Sequence, residues 1–521
     1  MALQGTDTPV AAQANAADTA FFGHPAGLST LFFTDMWERF SYYGIRPLLL
    51  LFMTAAVGQG GFGFSNAESA AIVGIYAGAV YLLALPGGWL ADNWLGARRA
   101  VLAGAVLIAL GHLAIGLSAV LAKPAFFAGL MLIPLGSGLM KPSISSMVGA
   151  LYAHDDVRRD SGFSIFYMSV NIGAFFGALV TGFLGERIGW HWGFAAAGAA
   201  MLIGLVVYAA RMPKTLMEIG GPPLVSRAKA RNIRLGLLAC VTLLVALYTA
   251  AVAGLVVLRP EDIATRLGEA LGLITVVYLG YLFFFAGFGS ADRRRVLMIV
   301  VLFVVASVFW AALEQAPTSM NLFARDFTDR TIGGVEFPAT WLQSLNPVYI
   351  ILLTPVLGYI WTSVRRRGIA LEKPVQFMLG LGFACAGFVV LALGARAAQS
   401  GHLVSPFWLL GSVFLQVIGE LCLSPVGLNA FTQLAPEGWS SRMLGVWFMA
   451  SSIGNLLAGL AGGHIEAGDA RGAEVLFQFS AGVLLAAAVA LALLIRPLRR
   501  MLQSSPDVTV TVPTAPLSGD P

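Results

Sequence analysis

Fourteen stretches of about 20 mostly apolar residues recur along this chain of 521 residues, and they constrain its fold more than any other feature. A bilayer offers backbone groups no water, so each spanning segment must satisfy its own hydrogen bonds, which favours helices over open strands. The pattern therefore predicts an all-α integral membrane protein. The predicted spans are 28–57, 66–91, 97–122, 124–150, 159–184, 190–211, 234–258, 263–287, 295–322, 340–364, 374–397, 405–432, 439–463 and 474–498.

The composition also indicates a chain that is surrounded mainly by lipid. Hydrophobic residues make up 58% of the chain and charged residues 11%, whereas a soluble domain carries about 25% charged residues. The pI of about 9.2 could suggest nucleic acid, but the Lys and Arg residues lie in short connectors between apolar runs. Three scattered Cys and six dispersed His residues form no disulfide framework or metal motif. We therefore expect neither nucleic acid nor a metal as a partner.

The positive charges predict the orientation of the chain. Of the 32 Lys and Arg residues, 21 fall in connectors on the side of the amino-terminal tail, 8 fall on the other side, and 3 lie inside spans. Because Lys and Arg concentrate in cytoplasmic connectors of membrane proteins, we expect both tails to be cytoplasmic.

The spans divide into two sets of six around a basic connector and an extra pair of spans. Two six-helix halves around a central cavity are a common plan for secondary transporters. The extra pair is expected to be an accessory hairpin that faces lipid. The predicted divisions are a disordered tail at 1–27, a first bundle at 28–211, a linker at 212–233, the hairpin at 234–287, a second bundle at 293–498 and a tail at 499–521.

The first span carries an unusual set of polar side chains. Four of them recur at steps of four, three and four, so they form one helical stripe about 16 Å long. A structural clamp between helices is one interpretation, and the wall of a polar cavity is the one we favour. The set comprises Asp35, Glu38, Arg39, Tyr42, Tyr43 and Arg46.

Three further ionisable residues fall inside later spans: Lys141, Glu314 and Glu420. A charge at this depth costs several kcal/mol and normally faces a cavity or a partner. Each acid could instead be neutral and simply hydrogen-bonded. Together with Glu38 and Arg39, these residues carry a total charge near zero, which suits a zwitterionic solute better than a simple anion or cation.

A short motif closes the second span at 87–99, with the sequence GGWLADNWLGARR. It resembles the loop between the second and third helices of the major facilitator superfamily. There, Asp92, Arg98 and Arg99 would form a conformational latch between membrane helices. The alternative is a solvated turn that only sets topology.

Several separate motifs resemble those of the proton-coupled oligopeptide transporter family, a branch of the major facilitator superfamily. The resemblance runs from about residue 32 to 496, and the extra pair of spans matches bacterial members. It implies a fold of two six-helix bundles plus a two-helix hairpin, fourteen transmembrane helices in all. The motifs are ERFSYY at 38–43, the loop motif at 87–96, FSIFYMSVNIG at 163–173, QSLNP at 343–347 and GELCLSP at 419–425.

The resemblance also implies how a peptide would be bound. One set of residues would meet its carboxylate, another its amino terminus, and two tryptophans its side chains. For the carboxylate these are Arg39 and Lys141, surrounded by Tyr42, Tyr43 and Tyr81. For the amino terminus they are Asn171, Asn346 and Glu420, and for the side chains Trp310 and Trp447.

Proton coupling would involve Asp35, Glu38, Arg46 and Glu314, with Arg46 and Glu314 paired at the extracellular gate. Two positions depart from the family pattern. The usual first-helix Glu is replaced by Asp35, which is one methylene shorter, and Ser143 stands where many members have Asn. The shorter side chain weakens the case for Asp35, whereas Glu38 keeps the family residue.

The expected function is proton-coupled symport of di- and tripeptides by alternating access, without enzymatic activity and with protons as the coupling ion rather than a cofactor. Transport of another small solute, nitrate or drug-like, on the same scaffold remains the alternative. We expect a monomer in the bacterial plasma (inner) membrane, crossing it many times and contacting membrane lipid.

Overall fold

The computed structural model describes residues 18–153, 156–367, 373–436, 439–466 and 468–503. The outer parts of both predicted tails, 1–17 and 504–521, lie outside these ranges. The helices are α1 Ala26–Thr54, α2 Asn66–Leu82, α3 Ala84–Leu90, α4 Ala97–Ala150, α5 Arg159–Phe183, α6 Trp190–Thr215, α7 Arg227–Val252, α8 Pro260–Phe284, α9 Ser290–Leu313, α10 Asn321–Asp326, α11 Leu345–Arg366, α12 Lys373–Ala398, α13 Phe407–Gln433, α14 Ser440–Gly462 and α15 Ala470–Gln503.

Shorter elements join or extend these helices. Two-residue strands β1 and β2 form an antiparallel hairpin in which Thr331 pairs with Glu336 and Ile332 with Val335. The 3₁₀ turns are Val57–Gln59 and Ala339–Ser344, the π-helical turns are Ala91–Leu95, Leu184–Ile188 and Ala316–Met320, and the strands are β1 Thr331–Ile332 and β2 Val335–Glu336.

The all-α membrane fold is confirmed. Within the described residues, twelve helical segments are long and apolar enough to cross a membrane. One of them, Ala97–Ala150, has 54 residues and changes direction at Ala122, whose φ of 54° and ψ of −148° are not helical. Its two parts match the predicted spans 97–122 and 124–150. Helix α1 falls outside the twelve because its middle carries four charged residues. The twelve segments therefore include two predicted spans within one segment and leave out the first predicted span.

Close packing of small residues positions α1, the helix that carries the polar stripe. A Cβ atom added to Gly177 of α5 would lie 2.4 Å from the backbone oxygen of Phe40, so only glycine allows the two helices to approach this closely. Small residues of this kind are typical of helix interfaces in membranes. On its other side α1 packs against α6. This packing holds the polar side chains of α1 at the centre of the molecule.

The two halves meet most closely through α2 and α14. A Cβ atom on Gly74 would lie 2.8 Å from the Cα atom of Gly459, so the two backbones are almost in contact. We call the end of the molecule where α1 begins the terminal end, and the opposite end, where α1 finishes at Thr54, the distal end.

Two bounds differ from the sequence analysis. Helix α7 begins at Arg227, inside the predicted linker 212–233, because Ser226 caps it by accepting a hydrogen bond from the Lys229 backbone. Part of the expected tail 1–27 is also folded. The Asp18 carboxylate accepts bonds from the backbone nitrogens of Ala20 and Ala26, at 3.0 and 2.7 Å, and so caps the start of α1.

Candidate substrate and proton site

The acidic end of the α1 stripe forms an ion cluster inside the first bundle. The Arg39 guanidinium lies 3.4 Å from Asp35 and 3.3 Å from Glu38. Hydroxyl groups from neighbouring helices also bind the two acids. Ser169 donates to Asp35 at 3.2 Å, and Ser137 donates to Glu38 at 3.1 Å. Both acids are 1% exposed, so their charges are balanced within the protein rather than by water.

The other end of the stripe connects the two halves. Arg46 of α1 donates to the Glu314 carboxylate at 2.5 Å and to the Asn455 side chain at 3.1 Å. Glu314 follows the last residue of α9, where Pro317 and the π-helical turn interrupt the helix. Both side chains of the Arg46–Glu314 pair are at least nine-tenths buried. Separating the halves here would leave two buried charges without their partner.

A central cavity of about 170 Å³ lies between the two bundles. Its walls come from α1, α5, α9, α11 and α13 and from the segment around Tyr81 in α2. Eight of the residues singled out in the sequence therefore converge on one space. They are Tyr43, Arg46, Tyr81, Asn171, Trp310, Glu314, Asn346 and Glu420.

The second bundle supplies an acid and an amide side by side. The Asn346 amide donates to the Glu420 carboxylate at 3.0 Å, which orients that carboxylate toward the cavity. The two residues lie on α11 and α13, which pack together. An anionic acceptor held in this way is suited to an ammonium group.

Four predicted binding residues lie behind the cavity wall. Lys141 is one of them, and its ammonium nitrogen lies 4.3 Å from the ring centre of Tyr42 and 5.1 Å from that of Tyr81. Because Tyr81 lines the cavity, the positive charge of Lys141 lies close to the cavity as well. Trp447 is 3% exposed and packs edge-to-face on Trp310, with ring centres 6.4 Å apart. The four residues are Arg39, Tyr42, Lys141 and Trp447, none of which is among the cavity-lining residues.

The structure adds polar residues that sequence reasoning did not select. Tyr167, Gln343 and Gln416 line the cavity, and Asn455 binds Arg46. Tyr167 and Gln343 belong to motifs already noted at 163–173 and 343–347. Asn455 and Gln416 are uncharged residues within apolar spans, and an amide at that depth is a weaker signal than an ionisable group.

The predicted latch of Asp92, Arg98 and Arg99 makes contacts near its own loop. Arg98 donates to the backbone oxygens of Met217 and Leu216, at 2.5 and 3.5 Å, just beyond the end of α6. Free carbonyls at a helix end favour such a cation. Asp92 and Arg99 are exposed. The described contacts of Arg98 thus lie within the first half of the molecule.

A second contact between the halves lies at the distal end, beyond Glu314. The carboxylate of Glu186 accepts hydrogen bonds from the backbone nitrogens of Ala339 and Thr340, at 2.9 and 3.0 Å, and from the Thr340 hydroxyl at 2.7 Å. We call this the Glu186 clasp. Trp341 extends it by donating to the backbone oxygen of Leu179 at 2.9 Å. The clasp and the Arg46–Glu314 pair together close the distal end.

Known proteins resemble this chain over almost its whole length. A model described as the POT family matches residues 98–475. The peptide transporter YePEPT of Yersinia enterocolitica is 46% identical over 495 residues, which cover 93% of this chain and 96% of that protein. The chain belongs to the POT family. This is a family of transporters, not of enzymes, as the sequence analysis expected.

Further POT proteins agree in sequence and structure. The di-/tripeptide transporter of Lactococcus lactis subsp. cremoris is 36% identical over 453 residues, covering 84% of this chain and 89% of that protein. A crystal structure of a peptide transporter POT variant in complex with alafosfalin is 36% identical and has a TM-score of 0.86, covering 94% and 99% of the two chains. Another POT transporter, in complex with 5-aminolevulinic acid, is 31% identical with a TM-score of 0.84, covering 92% and 98%.

Proposed function

We propose that this POT protein is a symporter that carries di- and tripeptides together with protons by alternating access. The observation that carries the proposal is the division of charge around the central cavity. Glu420, oriented by Asn346, presents an anion on the second bundle. On the first bundle Tyr43 and Tyr81 line the cavity, with Lys141 directly behind Tyr81.

This arrangement matches the features that all short peptides share. A dipeptide and a tripeptide have a free ammonium and a free carboxylate, separated by one or two Cα steps of about 3.8 Å. In our proposal Glu420 binds the ammonium, with Asn171 and Asn346 beside it. Lys141 and Arg39 attract the carboxylate, within a shell of tyrosines. Trp310, backed by Trp447, contacts peptide side chains without selecting among them. The list of proposed substrate-binding residues is Arg39, Tyr42, Tyr43, Tyr81, Lys141, Asn171, Trp310, Asn346, Glu420 and Trp447.

The proton acts through the pair of Arg46 and Glu314 in this proposal. While Glu314 is ionised, the pair holds the distal ends of the two halves together. A proton on Glu314 removes the charge that Arg46 needs, so the distal end can open. Glu38 is the second proposed proton-coupling acid, and Asp35 a weaker one. A proton that moves down about 100 mV provides roughly 2.3 kcal/mol, enough for about fifty-fold accumulation.

The same proposal covers the placement of the chain. The protein lies in the bacterial plasma membrane as a monomer. Both tails are cytoplasmic and the distal end is outside, because 21 of the 32 Lys and Arg residues lie on the terminal side. We propose the two bundles 28–211 and 293–498 as the moving bodies, with the hairpin 234–287 as an accessory. Protons serve as the coupling ion, and no other cofactor is proposed.

Uptake by purified protein in lipid vesicles tests the proposal. Labelled dialanine should accumulate when an inward proton gradient is imposed, and only equilibrate when the gradient is collapsed. Glu420→Gln should lose most of this uptake. Glu68→Gln serves as a control because, among the described residues, its carboxylate accepts hydrogen bonds from Ser65 alone, at the start of its own helix. Uptake no greater than in protein-free vesicles would overturn the proposal.

The competing function can be tested in the same vesicles. Nitrate transport would need a compact cationic site, and the anionic Glu420 at the cavity argues against it. Excess nitrate should therefore leave dialanine uptake unchanged. Competition by nitrate, together with gradient-driven nitrate uptake, would instead favour transport of the other solute.

A further inference from the structure

A second cavity, of about 500 Å³, lies between the accessory hairpin and the first bundle at the distal end. Its walls come from α2, the second part of α4, α7 and α8. Nearly all of its lining is apolar, with Ile72, Phe127, Leu130, Met131 and Val252 as examples. It is separate from the peptide cavity, and no step of the proposed transport cycle uses it.

The depth of this cavity matches one leaflet of a bilayer. Along α4 its lining runs from Lys123 to Met131, a rise of about 12 Å at 1.5 Å per residue. Half of a bilayer's hydrocarbon layer is about 15 Å thick. Helix α7, which has no buried residue, forms one wall of the space. Near the mouth the Tyr248 hydroxyl donates to the backbone oxygen of Pro124.

The space opens to the surroundings of the protein, because Val252 and Leu258 in its wall are 52% and 45% exposed. Apolar walls of this kind gain packing partners when an apolar molecule fills the space. Water is a poor filler here, since a buried water needs two to four polar partners. A peptide is excluded as well, because its two charged ends would lie against apolar walls. In a membrane the available apolar molecule of suitable length is a lipid acyl chain.

The mouth of the cavity carries a cation. The Lys123 ammonium lies 4.4 Å from the ring centre of Phe64 and 5.7 Å from that of Phe62, and among the described residues no carboxylate lies within 4.0 Å of it. Just before Lys123 the chain leaves the helical conformation at Ala122, so the second part of α4 begins beside this ammonium. A helix start and an ammonium together favour a phosphate.

The geometry points to a phospholipid-binding site between the accessory hairpin and the first bundle. One acyl chain fills the apolar cavity, and the phosphodiester lies beside Lys123. The lipid then attaches α7, which has no buried residue, to the bundle at its distal end, whereas α8 packs directly against α2. At the terminal end this attachment is made by protein alone, where Lys229 donates to Asn93 at 2.8 Å.

Native mass spectrometry of the purified full chain tests this site, with dioleoyl phosphatidylglycerol and dioleoylglycerol as probes. The first pair of variants is Val252→Trp, which fills the cavity, and Val245→Trp, a control on the same helix that lies outside it. Both valines are about half exposed, at 52% and 55%, so both proteins should fold. We expect Val252→Trp to retain about tenfold less phosphatidylglycerol than wild type and Val245→Trp to match wild type.

A second pair tests the phosphate. Lys123→Gln should lose the preference for phosphatidylglycerol over dioleoylglycerol, whereas Lys214→Gln, which changes an exposed lysine at the terminal end, should keep it. Thermal unfolding provides an independent measurement, because added phosphatidylglycerol should raise the Tm of wild type more than that of Val252→Trp. Equal retention by both tryptophan variants would mean general surface lipid only, and an unchanged preference in Lys123→Gln would remove the phosphate contact. Either result overturns the site.

Discussion

The Glu186 clasp makes a quantitative prediction about the gate at the distal end. The clasp joins the end of α5 in the first half to the 3₁₀ turn before α11 in the second half. Replacing Glu186 with Ala removes three hydrogen bonds to an ionised acceptor, made by Ala339 and Thr340 at 2.7 to 3.0 Å. All three must break whenever the distal end opens, so the variant should favour the open state.

The size of the effect follows from the contacts. A hydrogen bond to a charged group contributes about 1.5–3 kcal/mol net, and bonds that share one acceptor are not additive. Glu186 is half-buried, so water recovers part of the interaction when the gate opens. We expect Glu186→Ala to weaken the closed state by about 2–3 kcal/mol, a change of roughly 30- to 150-fold in the population ratio.

Distances between spin labels measure this ratio. Labels at Gly58 and Ser400, both exposed at the distal end of different halves, should move apart in Glu186→Ala. The matched control is Glu68→Ala, because the hydrogen bonds of the Glu68 carboxylate within the described part of the chain come from its own half, from the backbone and hydroxyl of Ser65 at 3.0 Å. If Glu186→Ala keeps the wild-type distance distribution, or if Glu68→Ala shifts it as much, the clasp does not hold the gate.

Three further predictions concern the transport site and the folded start of the chain. Glu314→Gln, which resembles the protonated acid, should lose proton-driven accumulation but keep peptide exchange, and accumulation at wild-type level would exclude it as the coupling site. Lys141→Ala should weaken binding of ordinary dipeptides far more than binding of analogues without the carboxylate. Glu420→Gln should weaken binding of ordinary dipeptides far more than binding of amine-blocked analogues. If both variants rank the peptide and its analogues by affinity as wild type does, the site does not bind both ends of the peptide. Burial and then the nearby positive charge lower the pKa of His24, whose ring nitrogen lies 2.9 Å from the Tyr152 hydroxyl. Because the pKa is lowered, docking of residues 18–25 is complete above about pH 6.5 and is lost as the pH falls below that value. Hydrogen exchange of these residues should therefore accelerate at acid pH. His24→Gln should remove this pH dependence of exchange.

The sequence alone was enough to predict the class of fold and to select ionisable residues that line one cavity. Long apolar runs admit only membrane helices, and a charge within such a run is so costly that its position is informative without coordinates. That cost explains why Arg46, Glu314 and Glu420 could be selected from the chain and now lie around one cavity. The resemblance to the family, which the POT relatives confirm, added the expected roles, and these remain proposals for each residue.

Tertiary structure decided which of these residues reach the cavity and which stand behind it. Helical spacing places Arg39 and Tyr43 on the same helix, but only the packing of α1 against α5 determines that Tyr43 lines the space. The Glu186 clasp was also beyond the sequence, because an acid near a helix end is usually solvated. Its hydrogen bonds come from backbone N–H groups about 150 residues away along the chain. Local sequence determines the period and polarity of a helix, whereas contacts between distant segments depend on how all the helices pack together.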